Sequence, residues 1–197
     1  ANLQVLQGLG FTAAGLALVA MIALLRVFEG TPHRLRESAR RSMNFVRSAY
    51  AWLLVAGGLQ VYFGVRALWA DRAPAHYETD AVRHFLALGF VSMVIMGMAF
   101  LVLPRLAMRR LAGTPARFVA PALMALLYGA AAARGAGSLL VNEAKLESGF
   151  WTMSAAGVAG FLAVALFVAH LVWSPPQPEI PLRTPSAQGS SDQPIVL

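Results

Sequence analysis

The sequence predicts an all-α integral membrane protein with five transmembrane helices. Of its 197 residues 58% are hydrophobic and only 13% charged, where a soluble domain carries about 25% charge. The apolar residues also fall into five runs of at least 20, parted by short charged loops. About 20 apolar residues at a rise of 1.5 Å cross a roughly 30 Å hydrocarbon core.

The first span covers about 5–28 and ends at Arg26 and Glu29. It lacks a basic leader and a small-x-small cleavage site, so it reads as an uncleaved span. The loop Glu29–Ser42 holds Arg34, Arg36, Arg40 and Arg41, and the second span covers about 45–70. A short acidic-leaning loop follows with Asp71, Arg72, His76, Glu78 and Asp80. The third span, about 82–103, organises the rest: Arg83 and His84 lie at its start and Pro104 closes it. Arg105, Arg109, Arg110 and Arg117 fill the next loop before a fourth span at about 118–141. The fifth span covers about 149–173, and Ser174-Pro175-Pro176 ends helical structure because proline lacks an N–H. Residues 174–197 are rich in Pro, Ser and Gln and read as a disordered tail.

Arginine placement sets the orientation. Loops one and three carry four arginines each, loop two carries one and loop four a single lysine. The first and third loops therefore face the cytoplasm, with the N-terminus outside and the tail inside a bacterial inner membrane. The net charge of +7 is thus topological, and no aromatic-interleaved basic face for nucleic acid exists. The lipid bilayer is the first partner; other membrane subunits or a second copy are the protein partners expected.

No cysteine is present, which excludes disulfides, thiolate metal sites and covalent c-type haem attachment. No paired intramembrane carboxylate, nucleophile elbow or phosphate loop suggests hydrolysis. Small residues recur at Gly129, Ala133 and Gly137, at Ala156 and Gly160, and at Gly89 and Gly97 around Met93. Such stripes read as close helix contacts, with a cofactor groove as the alternative. Met93, Met96 and Met98 read as core filler.

Ionisable groups at membrane depth are costly and are functional candidates. Arg66, His84 and Arg134, from three helices, fall at similar depth in the outer leaflet, with Tyr62 one turn from Arg66 and Tyr128 deeper. Arg134 wants an anion, supplied either by Glu78, Asp80 or Glu143 or by an anionic ligand group such as a haem propionate, lipid phosphate or quinone oxygen. Arg66 can also snorkel. His84 suits an axial haem ligand or a hydrogen-bond donor to quinone, or is structural. A bis-histidine iron needs His84 with His76, or His170 with His33, because His84 and His170 lie roughly 25 Å apart along the membrane normal. Gln60 reads as an interhelical hydrogen-bonding group.

From Arg47 to Trp173 the chain resembles the C-terminal half of the NnrS family, multi-pass membrane proteins linked to haem, copper and the nitric oxide response. The residues that carry the likeness are Arg47-Ser48-Ala49-Tyr50, His84 followed by Gly89, Met96-Gly97-Met98, Arg105, Arg134 and Trp151. NnrS proteins are about twice this length, and the histidine-rich motif of their N-terminal half has no counterpart here. The resemblance implies haem or redox association, with His84 as the metal-ligand candidate and Arg134 beside a bound anionic group. Three function classes follow: a haem- or quinone-associated redox protein, a non-catalytic structural or assembly subunit of a respiratory or photosynthetic complex, and a small transporter. The missing mid-membrane acids argue against the last.

Overall fold

A computed structural model describes residues 3–29, 37–106, 114–143 and 145–173. They form helix α1 (Leu3–Leu25), helix α2 (Glu37–Trp69), a composite third helix, helix α4 (Thr114–Asn142) and helix α5 (Ser148–Trp173). The third helix, α3, joins an α-helical segment His76–His84, a π-helical segment Phe85–Val91 and an α-helical segment Ser92–Leu106. No strand occurs among the described residues. Five helices are long and apolar enough to cross a membrane: Leu3–Leu25, Ala39–Trp69, His76–Val102, Phe118–Asn142 and Ser148–Trp173. The tail and most of the two arginine-rich loops lie outside the described residues.

Three boundaries differ from the sequence reading. Helix α2 begins at Glu37, so Arg40 and Arg41 belong to its first turns instead of a loop. Helix α3 continues two residues beyond Pro104, to Leu106. It also starts at His76, six residues before the expected span, because Glu78 turns back to accept the Ala75 N–H. A glutamate at the third helical position caps a helix start, and its charge there complements the positive end of the helix. Helices α1 and α2 end where Arg26 and Asp71 take left-handed backbone, with φ of 50° and 45°.

Close approach of small residues joins neighbouring helices. A Cβ on Gly15 of α1 would lie 2.7 Å from the Gly57 carbonyl oxygen of α2 and 2.8 Å from the Val61 nitrogen. Between α2 and α3, Trp52 fills the space beside Gly89 and Phe45 that beside Gly97, while Ser42 donates to the Gly97 carbonyl at 2.7 Å. The Gly89–Met93–Gly97 stripe is therefore closed by packing and offers no groove. On α4, Gly137 meets Gly149 and Met153 of α5, whereas nothing lies against Gly129. The main core gathers Phe45, Ala49, Met93, Met96, Phe100, Leu123, Leu127 and Ala163. Met98 instead faces outward, 46% exposed.

Replacing Gly15 with Ala drives a methyl into backbone atoms, and overpacking of this kind costs about 1–3 kcal/mol. Gly15→Ala is expected to lower the melting temperature in detergent, whereas Gly10→Ala, at an open position, leaves it unchanged or slightly raised.

Candidate functional site

The polar residues gather at one end of the bundle, where α2 and α4 finish and α3 and α5 begin. Glu78, in the first turn of α3, is completely buried. Its carboxylate accepts both terminal nitrogens of Arg72, at 2.9 and 2.7 Å, and the Ala75 N–H. Arg66, in the last turn of α2, lies 3.7 Å from the same carboxylate. It also forks onto Glu143, just past α4, with one bond at 3.2 Å. The Tyr77 hydroxyl donates to Glu143 at 2.7 Å. This network ties α2, α3 and α4 together.

A buried carboxylate is tolerable only when its lone pairs are occupied, and Glu78 meets that condition. The Arg72 guanidinium is held above its ordinary pKa, chiefly by its hydrogen bond to Glu78. Glu143 is held below the usual carboxylate range, first by Arg66 and then by Tyr77.

Two turns further in, α3 presents His84 to α4. The Arg134 Nε donates to His84 Nε2 at 3.0 Å. A guanidinium nitrogen can only donate, so Nε2 accepts and the imidazole is neutral. Its proton then sits on Nδ1, 2.8 Å from the Asp80 carbonyl oxygen and 3.4 Å from an Asp80 carboxylate oxygen. The His84 side chain is one quarter exposed.

Arg134 lies at the middle of the inward face of α4. Leu127, Ala130, Ala131 and Ser138, one or two turns away on that face, are all buried, while Ala132 and Ala136 opposite are exposed. Its bond to His84 is its only hydrogen bond among the described residues, and no carboxylate there lies within 4.0 Å of it. Directly after His84 comes the π-helical segment, a form frequent at functional sites. Its first residue, Phe85, stacks on Trp52 at 5.2 Å and 13° and presses against Gly135 of α4.

Of the residues singled out from sequence, His84 and Arg134 are thus in contact. Arg66 belongs to the adjoining ion-pair network. Tyr62 stands outside both, 57% exposed with its ring against Phe63 at 5.3 Å. Tyr128 packs beside Trp52 at 5.5 Å. The carboxylates expected to serve Arg134 are engaged otherwise: Glu78 and Glu143 by Arg66 and Arg72, Asp80 by His84. The Gln60 side-chain oxygen is buried without the expected hydrogen bond. His76 starts the same helix as His84, eight residues and therefore about 12 Å away along the axis. His170 is buried near Phe100 at 6.1 Å, and His33 lies outside the described residues. Among the described residues no three His, Asp or Glu side chains gather to hold a metal.

The roles of Arg72, Tyr77 and buried Glu78 were missed because 71–80 reads as a polar loop. The signal was Pro74 followed by Glu78 at the capping position.

Over residues 1–175 the chain matches a family model described as a domain of unknown function, DUF8744. It belongs to that family. The match takes in all five helices of the DUF8744 domain and both polar groups at its Glu78 end. No curated protein and no solved structure matches the chain.

Glu78 is buried while Arg72 and Arg66 are about one third exposed. Glu78→Ala therefore leaves two arginines that can reach water, and is expected to lower the melting temperature in detergent through loss of the helix cap and of the tie between α2 and α3. Glu143 works in the opposite exposure regime. Its lowered pKa means its contribution is complete above the ordinary glutamate value and is lost as pH falls through the folded one. Glu143→Gln should therefore abolish part of the loss of thermal stability on acidification, measured as melting temperature against pH.

Proposed function

We propose that this chain is a multi-pass membrane protein that holds a redox-linked ligand at the His84–Arg134 pair. The observation carrying this reading is the contact itself: a guanidinium without a carboxylate partner among the described residues, bonded to an imidazole between two membrane helices. Intramembrane ionisable residues mark ligand or ion sites by default. The NnrS likeness supports a role in redox or nitric oxide metabolism. The arginine distribution supports an outward-facing Glu78 end and a bacterial inner membrane.

Haem and quinone are the two cofactors to weigh. Haem fits the arrangement poorly. An axial ligand needs a free nitrogen lone pair, yet Nε2 accepts from Arg134 and Nδ1 carries the proton toward Asp80. The groove that could have held a macrocycle beside Gly89 and Gly97 is filled by Trp52 and Phe45. If haem were carried, it would supply one-electron chemistry, and His84 would have to exchange Arg134 for the iron.

A second reading, a non-catalytic assembly subunit, is favoured by the long apolar faces left open on α5, where Val158, Phe161 and Leu162 are exposed. It predicts partner subunits that travel with the chain through mild solubilisation.

The deciding experiment is an absorption spectrum of the purified protein, oxidised and dithionite-reduced, together with extraction and analysis of bound small molecules. A ligand retained at stoichiometric level and lost in His84→Ala supports the cofactor reading. A ligand-free sample purified with partner subunits attached supports the assembly reading instead. A Soret band that disappears in His84→Ala would show that Arg134 gives way to iron.

A further inference from the structure

Resting on that reading, we infer that the ligand class at His84–Arg134 is a lipid-soluble quinone, held through a carbonyl oxygen by the Arg134 guanidinium.

Three properties of the pair select this class. The first is donor chemistry. A guanidinium has five N–H donors and no acceptor, and among the described residues only the Nε–H of Arg134 is used. Its two terminal nitrogens therefore seek an acceptor oxygen. His84 contributes by fixing the guanidinium, because its own proton is committed to the Asp80 carbonyl.

The second property is charge. Arg66 and Arg72 each have a carboxylate partner, but none lies within 4.0 Å of Arg134 among the described residues. A guanidinium stays protonated in proteins, and half-buried Arg134 keeps its positive charge and its terminal nitrogens open to an electron-rich oxygen.

Position is the third. His84 and Arg134 each lie eight residues inside the end of their helix, which is about 12 Å along the axis. The apolar run of the α3 span begins only at about Val82, after Glu78 and Asp80, so the pair lies in the outer part of the hydrocarbon leaflet, close beneath the headgroup layer. Arg134 also faces α3 on the side of α4 opposite exposed Ala132 and Ala136, which turns it away from the annular lipid. A ligand arriving there must dissolve in the bilayer and carry an acceptor oxygen. A quinone headgroup does both; a phospholipid phosphate is the competing acceptor, which the test below separates.

Trp52 supplies a reporter. Its ring stacks on Phe85, the neighbour of His84, while Trp69, Trp151 and Trp173 are 87%, 80% and 81% exposed. The test uses the full chain with Trp69→Phe, Trp151→Phe and Trp173→Phe, in nanodiscs of phosphatidylcholine, titrated with decylubiquinone while Trp52 emission is followed. The inference predicts saturable quenching. It predicts at least a tenfold weaker apparent affinity in Arg134→Gln, partial recovery in Arg134→Lys and no change in Tyr62→Phe. Melting temperature and helical circular dichroism of each variant separate lost binding from lost fold; the lysine variant stands in if the glutamine variant fails to fold.

Linear, unsaturable quenching, or unchanged affinity in both Arg134 variants, overturns the inference. Saturable binding of phosphatidylglycerol added to the phosphatidylcholine nanodiscs, weakened in Arg134→Gln and untouched by decylubiquinone, also overturns it, by showing that an anionic lipid headgroup holds the guanidinium. A Soret band in a sample insensitive to decylubiquinone defeats the quinone assignment and leaves the cofactor reading standing. Neither chromophore nor saturable quenching defeats both.

Discussion

Burial of Glu78 is the constraint on which the polar end of this bundle depends. A carboxylate with no exposed surface has to be met by donors, and Arg72, Arg66 and the Ala75 N–H meet it. Because those donors come from the end of α2, its following turn and the start of α3, satisfying one charge fixes where two helices stand. Glu143 extends the network to α4 through Arg66 and Tyr77. Lipid offers little hydrophobic drive for helices to associate. Small-residue contacts such as Gly15 with Gly57 then bring backbones together along the helices, while the ion pairs set their relative position at one end.

With Glu78 and Glu143 committed to that network and Asp80 beside His84, no carboxylate among the described residues serves Arg134. The guanidinium two turns inward turns to His84, and its donor chemistry decides the state of the imidazole: neutral, with the proton on Nδ1. The π-helical segment that follows places Phe85 between Trp52 and Gly135, so the pair is backed on its inner side by packed rings. The ion-pair network thus positions the helices, and the His84–Arg134 pair keeps the uncommitted donors.

Much of this was legible in the sequence. The five spans follow from apolar run length, and alternating helix direction puts Arg66, His84 and Arg134 at one end of the bundle. The similar depth expected of the three does not hold, since Arg66 is in the last turn of α2, nearer the end than the other two. Contact between His84 and Arg134 was within reach of that argument. Which carboxylate serves which arginine was not, because it depends on the azimuth of each residue around its helix. Arg134 falls on the same face as Leu127 and Ser138, and only the packed neighbours reveal that this face looks inward. The stripe at Gly129, Ala133 and Gly137 illustrates the same limit: its spacing suggested one contact surface, yet Gly129 is open and Gly137 is tightly packed. Reading 71–80 as a loop hid the cap at Glu78, since polar composition outweighed the Pro-then-Glu signal of a helix start.

The most direct measurement is the tautomer of His84 in bilayers, by nitrogen-15 solid-state NMR of histidine-labelled protein, with the resonance assigned by its loss in His84→Gln. The account predicts a neutral ring protonated at Nδ1, with Nε2 in the acceptor range and coupled to the Arg134 side chain. A proton on Nε2, or a doubly protonated ring at neutral pH, would contradict the contact with Arg134 from which the functional argument starts.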